Sequence, residues 1–200
     1  LPGIDLGQGA RTDGPRRLHS QGALKPTANE LDLAVSGLGM FVTTNPDDAN
    51  PVVFTRDGSM RLEDDGRVVT WDGRSLINSE GEPIFIPIQR RNVDGQRQLL
   101  TAVNISQGGV IEAVYGTEIA NKSASPSEIV NIGTIALVRF SNVAGLKSIG
   151  SGQFVTTEKS GLPAFGTAGN ENFGDIQSGN IEMSNINMTD ELTKMMQAQQ

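Results

Sequence analysis

From Leu31 onward the chain alternates: Leu31, Leu33 and Val35 fall between Asp32, Ala34 and Ser36. That two-residue period belongs to a half-buried β-strand. Gly37-Leu38-Gly39 interrupts it and Met40-Phe41-Val42 resumes it, which predicts a bulge or sharp bend between two strands. Asn45-Pro46-Asp47-Asp48 is a turn cluster whose adjacent carboxylates are expected to face solvent. Short apolar runs then alternate with Asp-Gly: Val52–Thr55 before Asp57-Gly58, Met60 and Leu62 before Asp65-Gly66, Val68–Trp71 before Asp72-Gly73, then Leu76-Ile77. Asp-Gly between such runs signals hairpins, because both central residues tolerate positive φ. Three turns at this spacing predict an antiparallel meander.

Pro83-Ile84-Phe85-Ile86-Pro87 is apolar but bracketed by prolines, which suits an edge strand or a crossover. Arg90–Gly95 reads as an exposed turn. Strands are expected around Leu99–Ile105 and Val110–Tyr115, joined by Gln107-Gly108-Gly109. Residues 116–130 are polar and read as a loop. Ile135–Phe140 is the most continuous apolar run and predicts a central strand buried on both faces. Residues 141–175 read as turns and a long loop around one strand near Gln153–Thr156, and Ile176–Met183 as a last strand.

The period then changes. Thr189 is a candidate N-cap, with Asp190 and Glu191 in the first turn, where acids complement the helix dipole. Leu192, Met195, Met196 and Gln199 follow at i, i+3, i+4 and i+7, one face of a helix. A helix of about a dozen residues is marginal alone, so it docks on the β body or continues into further chain. Two readings of its methionine face stand: packing against the same chain, or a seam against another chain, where flexible methionines adapt to irregular surfaces. The absence of a helix stop favours the seam. The expected fold is mainly β: an antiparallel meander, sandwich or barrel-like body over residues 31–180, with an extended segment over 1–30 and the start of a helix over 181–200. Residues 74–130 form either a small subdomain or part of the same body.

Composition narrows the chemistry. Twenty-four glycines suit a turn-rich β protein, and 16 basic against 23 acidic side chains give a net charge of −7. No basic face is implied for nucleic acid or an anionic membrane. Without cysteine, thiol catalysis, thiolate metal sites and disulfides are excluded. No run approaches membrane-spanning length and no signal-peptide pattern opens the chain; beginning without methionine and stopping inside a helical pattern, it reads as part of a longer protein. His19 is the sole histidine and lies in the extended opening segment beside Arg16-Arg17, far from the partner set that a triad needs. Glu63-Asp64-Asp65-Gly66 lacks the regular acids and closing Glu of a calcium loop, and no phosphate-cradling glycine loop occurs. Nothing calls for a cofactor.

Several blocks carry a family likeness. Leu31-Asp-Leu-Ala-Val-Ser-Gly-Leu-Gly-Met-Phe-Val42 resembles the "LDLAI-S/N-G-x-G-F-F" signature of bacterial flagellar hook and distal-rod proteins. Phe54-Thr-Arg-Asp-Gly58 with Gly66-Arg-Val-Val-Thr70 is similar to that family's "YTRDG…G-x-LVT" block. Gly133–Phe140 followed by Gly145-Leu146 and Gly150, Gly179–Asn187, and Arg17–Gly22 with Thr27 and Asn29 resemble its remaining segments, in family order. Met40, Phe54 and Ile181 depart from the usual residues but keep their apolar character.

The resemblance implies a structural axial subunit with no reaction to catalyse, exported unfolded through the type III channel and assembled outside the cytoplasm. Its partners would be copies of itself and neighbouring axial proteins of the rod, hook, hook cap or junction, with neither nucleic acid nor direct membrane insertion. It further implies that Leu192, Met195, Met196 and Gln199 belong to a terminal assembly helix and make inter-subunit contacts. Hook and distal rod both stay open: the short interval between Thr70 and Gly133 fits a distal-rod protein or a short hook protein, the Arg17–Gly22 run leans to the rod, and Glu182-Met-Ser-Asn and Thr189-Asp-Glu-Leu lean to the hook. A carbohydrate-binding or phage-tail β module is the alternative, weakened for sugars because one Trp and one Tyr offer few stacking platforms.

Overall fold

The computed structural model describes residues 21–117, 128–170 and 172–183. In chain order its strands are β1 (Leu24–Pro26), β2 (Leu33–Ser36), β3 (Met40–Thr44), β4 (Val52–Thr55), β5 (Met60–Leu62), β6 (Val68–Thr70), β7 (Ser75–Leu76), β8 (Gln89–Arg91) and β9 (Arg97–Ile105). There follow β10 (Val110–Thr117), β11 (Glu128–Thr134), β12 (Ala136–Arg139), a 3₁₀ turn (Val143–Gly145), β13 (Lys147–Gly150), β14 (Gln153–Val155), β15 (Ala164–Thr167), β16 (Asp175–Ser178) and β17 (Asn180–Glu182). All pairings among these strands are antiparallel.

The main sheet runs β13-β14-β4-β3-β7-β6-β5. One edge of β3 is shared: Thr43 and Thr44 pair with β7, while Met40 and Phe41 pair with β12, which also carries β15. A second sheet runs β11-β10-β9-β8, and two ribbons, β16-β2 and β1-β17, complete the body.

Strand geometry sorts successive side chains onto the two faces of the main sheet. Phe41, Leu137 and Ile135 enter a large cluster with Leu33, Val35, Met60, Leu76 and Ile86. Val103, Ile111, Ala113 and Tyr115 from the second sheet fill the same cluster. Their neighbours Met40, Val42, Ala136, Val138 and Phe140 face the other way, into a smaller cluster with Phe54 and Ile77. There Phe54 and Phe140 meet edge to face with centroids 4.9 Å apart. The Ile135–Phe140 run is therefore buried on both faces, as its continuous apolar character requires.

Five turns share one geometry, at Glu63–Arg67, Thr70–Arg74, Asn78–Glu82, Asn92–Gln96 and Ser106–Val110. The first N–H donates to the fifth C=O, and the fourth N–H, a glycine's, donates back to the first C=O. Only that glycine has positive φ, between 78° and 96° at Gly66, Gly73, Gly81, Gly95 and Gly109. The two-residue turn with two positive φ values expected at Asp65-Gly66 and Asp72-Gly73 is thus corrected to a three-residue loop with a glycine bulge, which spares the aspartate the left-handed region. Asp57-Gly58 makes no hairpin at all: β4 pairs with β3 and β14, β5 with β6, and the chain crosses between. The glycine is needed there for close approach, since a Cβ would lie 1.7 Å from the Leu33 carbonyl oxygen.

Other differences follow from long-range pairing. The polar region 116–130 leads into β11, which gains its partner from β10, and the expected loop beyond residue 157 contains β15, held by β12. Arg90 and Arg91, read as turn, lie in β8, and the turn proper starts at Asn92. The last strand splits at Gly179 (φ 69°) into β16 and β17. The proline-bracketed segment is a crossover with Ile84 and Ile86 buried and Phe85 half exposed. The expected C-terminal helix, with Leu192, Met195, Met196 and Gln199, lies outside the described residues, as do His19 and Arg16-Arg17.

Candidate assembly interface

Both ends of the described chain meet at one place. Leu24 stands opposite Glu182 and Pro26 opposite Asn180, and the Met183 N–H donates to the Ala23 carbonyl at 2.9 Å. The antiparallel register brings the incoming and outgoing segments side by side on one end of the body.

Beneath this ribbon sits Arg56, directly after β4. Its Nε donates to the Gly39 carbonyl at 3.1 Å, a terminal nitrogen donates to the Gly37 carbonyl, and the other lies 3.4 Å from Glu182 Oε1. The same carboxylate oxygen accepts the Gly22 N–H at 2.8 Å. Gln21 clamps the neighbouring bend, donating from Nε2 to the Val35 carbonyl and accepting the Gly37 N–H. Gly37 and Gly39 hold φ of 114° and 137°, values that side-chain-bearing residues rarely adopt. Four of the sequence blocks thus converge on one polar cluster: Gln21 and Gly22, Gly37 and Gly39, Arg56, and Glu182.

A second set of bonds braces the ribbon from below. Asn29 Nδ2 donates to Asp32 Oδ1 at 2.9 Å, Ser178 Oγ donates to the Glu30 carbonyl at 2.6 Å, and Thr27 N–H donates to the Gly179 carbonyl at 2.7 Å. Glu30 Oε2 accepts the Val103 N–H at 3.3 Å, which reaches the second sheet. This is a geometry for holding backbone in a fixed direction.

The acidic clusters noted in the sequence are engaged by arginines. Arg67 bonds Glu63 at 2.9 Å and Asp65 at 2.6 Å. The Arg67 backbone N–H, then its guanidinium, hold the Asp65 carboxyl below its usual range. Asp48 faces solvent as expected, its side chain 41% exposed, and also pairs with Arg74, whose side chain is only 3% exposed and donates to the Asn50 carbonyl at 3.0 Å. Asp72 completes that group. Burial pushes its carboxyl up, but hydrogen bonds from Thr70 and from Gln153 Nε2 at 2.6 Å, together with Arg74, bring it below the usual range. In the second sheet, Tyr115 lies under Arg90, 5.1 Å from ring centroid to guanidinium, and donates its hydroxyl to the Pro87 carbonyl. Burial raises its pKa and Arg90 partly offsets this. Among the described residues no group of three or more His, Cys, Asp or Glu side chains is placed to hold a metal, and no helix is long and apolar enough to cross a membrane.

The outer face of the main sheet carries exposed apolar side chains around β15: Leu162 (88%), Phe165 (60%) and Val52 (41%). Two adjoining grooves of about 710 and 570 Å³ share Val52 and Phe165, with Glu158 lining the first and Glu80 the second. Sequence reading missed this surface because it assigned residues 157–175 to a loop. The signal was the apolar trio Leu162, Pro163 and Phe165 between Gly161 and Gly166. The predicted contact residues Leu192, Met195, Met196 and Gln199 lie outside the described residues, so the structure neither gathers nor separates them.

Known proteins share this arrangement of segments. A family model for the flagellar hook protein FlgE/F/G D1 domain matches residues 34–113, and one for the flagellar basal body rod FlgEFG protein C-terminal region matches residues 177–200. The flagellar basal-body rod protein FlgG of Buchnera aphidicola (Acyrthosiphon pisum) is 33% identical over 197 residues, 98% of this chain and 66% of that protein. FlgG of Bacillus subtilis is 31% identical over 199 residues, 97% of this chain and 66% of the relative. The flagellar hook protein FlgE of Salmonella typhimurium is 38% identical over 84 residues, 42% of this chain and 20% of the hook protein. The chain spans 66% of the length of the rod relatives it matches. Colinear similarity over nearly its whole length, two matching family models and the convergence of the motif blocks on one cluster lead to one assignment: the chain belongs to the flagellar hook and basal-body rod protein family.

Proposed function

We propose that this chain is the β body of a structural, non-enzymatic axial subunit of the bacterial flagellum, of the rod type. The observation that carries the rod over the hook is coverage: likeness to FlgG runs through 98% of the chain, likeness to the hook protein through 42%. The partners are further copies and neighbouring axial proteins, and the place of action is the rod that passes motor torque toward the filament.

The geometry supports this reading mechanically. A subunit in a tube must keep its terminal segments in a set direction while neighbours pull on them. Here both described ends meet at the β1-β17 ribbon: Arg56 ties Glu182 of the ribbon to the Gly37–Gly39 bend, while Gln21 and Glu30, flanking β1, bond Val35 and Val103. Leu192, Met195, Met196 and Gln199 remain the proposed inter-subunit contacts, on the strength of their helical spacing, which begins ten residues beyond the end of β17.

The test is deletion of the gene in its host followed by electron microscopy of the basal bodies. Structures ending before the hook are expected. Complete rods, hooks and filaments would overturn the reading, and intact rods without hooks would move the protein to the hook. In complementation, Leu192→Asp with Met196→Asp is expected to abolish swimming while leaving subunit expression intact.

A further inference from the structure

The groove beside β15 and the β8-β9 hairpin are complementary in shape class and charge. The hairpin tip, Asn92–Gln96, presents Val93, whose side chain is fully exposed (102%). Arg91 and Arg97 flank it, exposed and without ion pairs among the described residues. Asp94 is also exposed at the tip and Arg97 donates to Gln89 Oε1, but with Arg90, Arg91 and Arg97 against Asp94 the hairpin is net positive in a chain of net charge −7. The grooves offer the converse: an apolar floor of Val52, Leu162 and Phe165, with Glu158 and Glu80 on their walls. Both acids are exposed and likewise form no ion pair among the described residues, and Lys159, next along, does not line the groove.

We infer that the β8-β9 hairpin of one subunit docks into the β15 groove of the next, with Val93 seated against Leu162 and Phe165 and Arg91 and Arg97 facing Glu158 and Glu80. The inference rests on the axial-subunit reading and names its contact surface. The two patches lie on different parts of one chain, so the contact is heterologous, and repetition generates an open helical array rather than a closed dimer. Apolar contact supplies the adhesion, and the unpaired charges set register and make the contact weaken with salt.

These 200 residues contain no cysteine, so thiols introduced into them have no partner among them, and the full-length protein without them is the control. The full-length protein carrying Val93→Cys and Leu162→Cys is expressed in motile cells, and isolated axial structures are oxidised. Dimers, trimers and longer ladders on non-reducing gels, collapsing to monomer with reductant, are expected, with each single variant staying monomeric. Cross-linking by Val93→Cys alone would mean a symmetric contact and overturn the proposal, as would a double variant that assembles yet stays monomeric. As a second readout, Glu158→Arg is expected to lower the cross-linked fraction several-fold and added Arg91→Glu to restore it; no effect of either also overturns it. Immunolabelling separates the two levels: protein absent from the axial structure sinks the axial reading and the docking with it, whereas protein present but never cross-linked sinks the docking alone.

Discussion

Arg56→Ala tests the idea that the polar cluster under the β1-β17 ribbon holds both chain ends. The guanidinium reaches three acceptors, the carbonyls of Gly37 and Gly39 and the Glu182 carboxylate. A hydrogen bond to a charged group contributes about 1.5–3 kcal/mol net when buried. Arg56 and Glu182 are 27% and 11% exposed, so water recovers part of that for the two carbonyls. Glu182 fares worse, because its other oxygen is buried with no partner among the described residues and the carboxylate loses its counter-ion. The expected loss is about 3 kcal/mol, or ~6–12 °C in Tm for a chain of this size. Chemical denaturation gives the free energy, and hydrogen exchange at the Gly22 and Met183 amides shows whether the ribbon opens first. Arg56→Lys should recover little, since one ammonium cannot serve three diverging acceptors. Glu182→Gln, which keeps an acceptor for Gly22, should cost less, about 1 kcal/mol. A loss below about 1 kcal/mol for Arg56→Ala, with unchanged protection of both amides, would refute the clamp.

Other expectations are simpler to state. Gly58→Ala should destabilise by more than about 3 kcal/mol, because the new Cβ meets backbone at Leu33; Gly73→Ala, open in space but at φ 82°, should cost only about 1–2 kcal/mol. Urea titration of the pair separates steric from conformational cost. Leu137→Ala, fully buried in the main cluster, should cost about 3–5 kcal/mol, readable as a shift in the denaturation midpoint. Asp72 has a folded pKa below its unfolded value, so its contribution is fully present above the unfolded carboxylate range and fades as pH falls through the lower folded value. Asp72→Asn should therefore flatten the acid limb of a stability–pH curve while lowering stability at neutral pH, and an unchanged acid limb would refute the linkage.

Local pattern was enough to determine much of this protein. Alternation at Leu31–Ser36 and Ser59–Leu62, with short apolar runs between turn residues, located β2 through β7, although β2 proved buried on both faces instead of one. The continuous Ile135–Phe140 run identified a strand with cores on both sides, and glycines marked where the backbone turns. The motif blocks from Arg17 to Asn187 sufficed to indicate the family. Pairing was another matter. Whether Asp57-Gly58 closes a hairpin depends on which strand lies beside β4, and β3 and β14 took both of its edges. β11 and β15 are polar or glycine-rich, with little alternation, and exist because β10 and β12 offer them free edges. The cluster joining Gln21, Gly37, Arg56 and Glu182 was invisible for the same reason. Its hydrogen-bonded pairs lie up to 160 residues apart, at Gly22 and Glu182, and hydrogen bonds at that separation are set by how the sheets close, which no local period records.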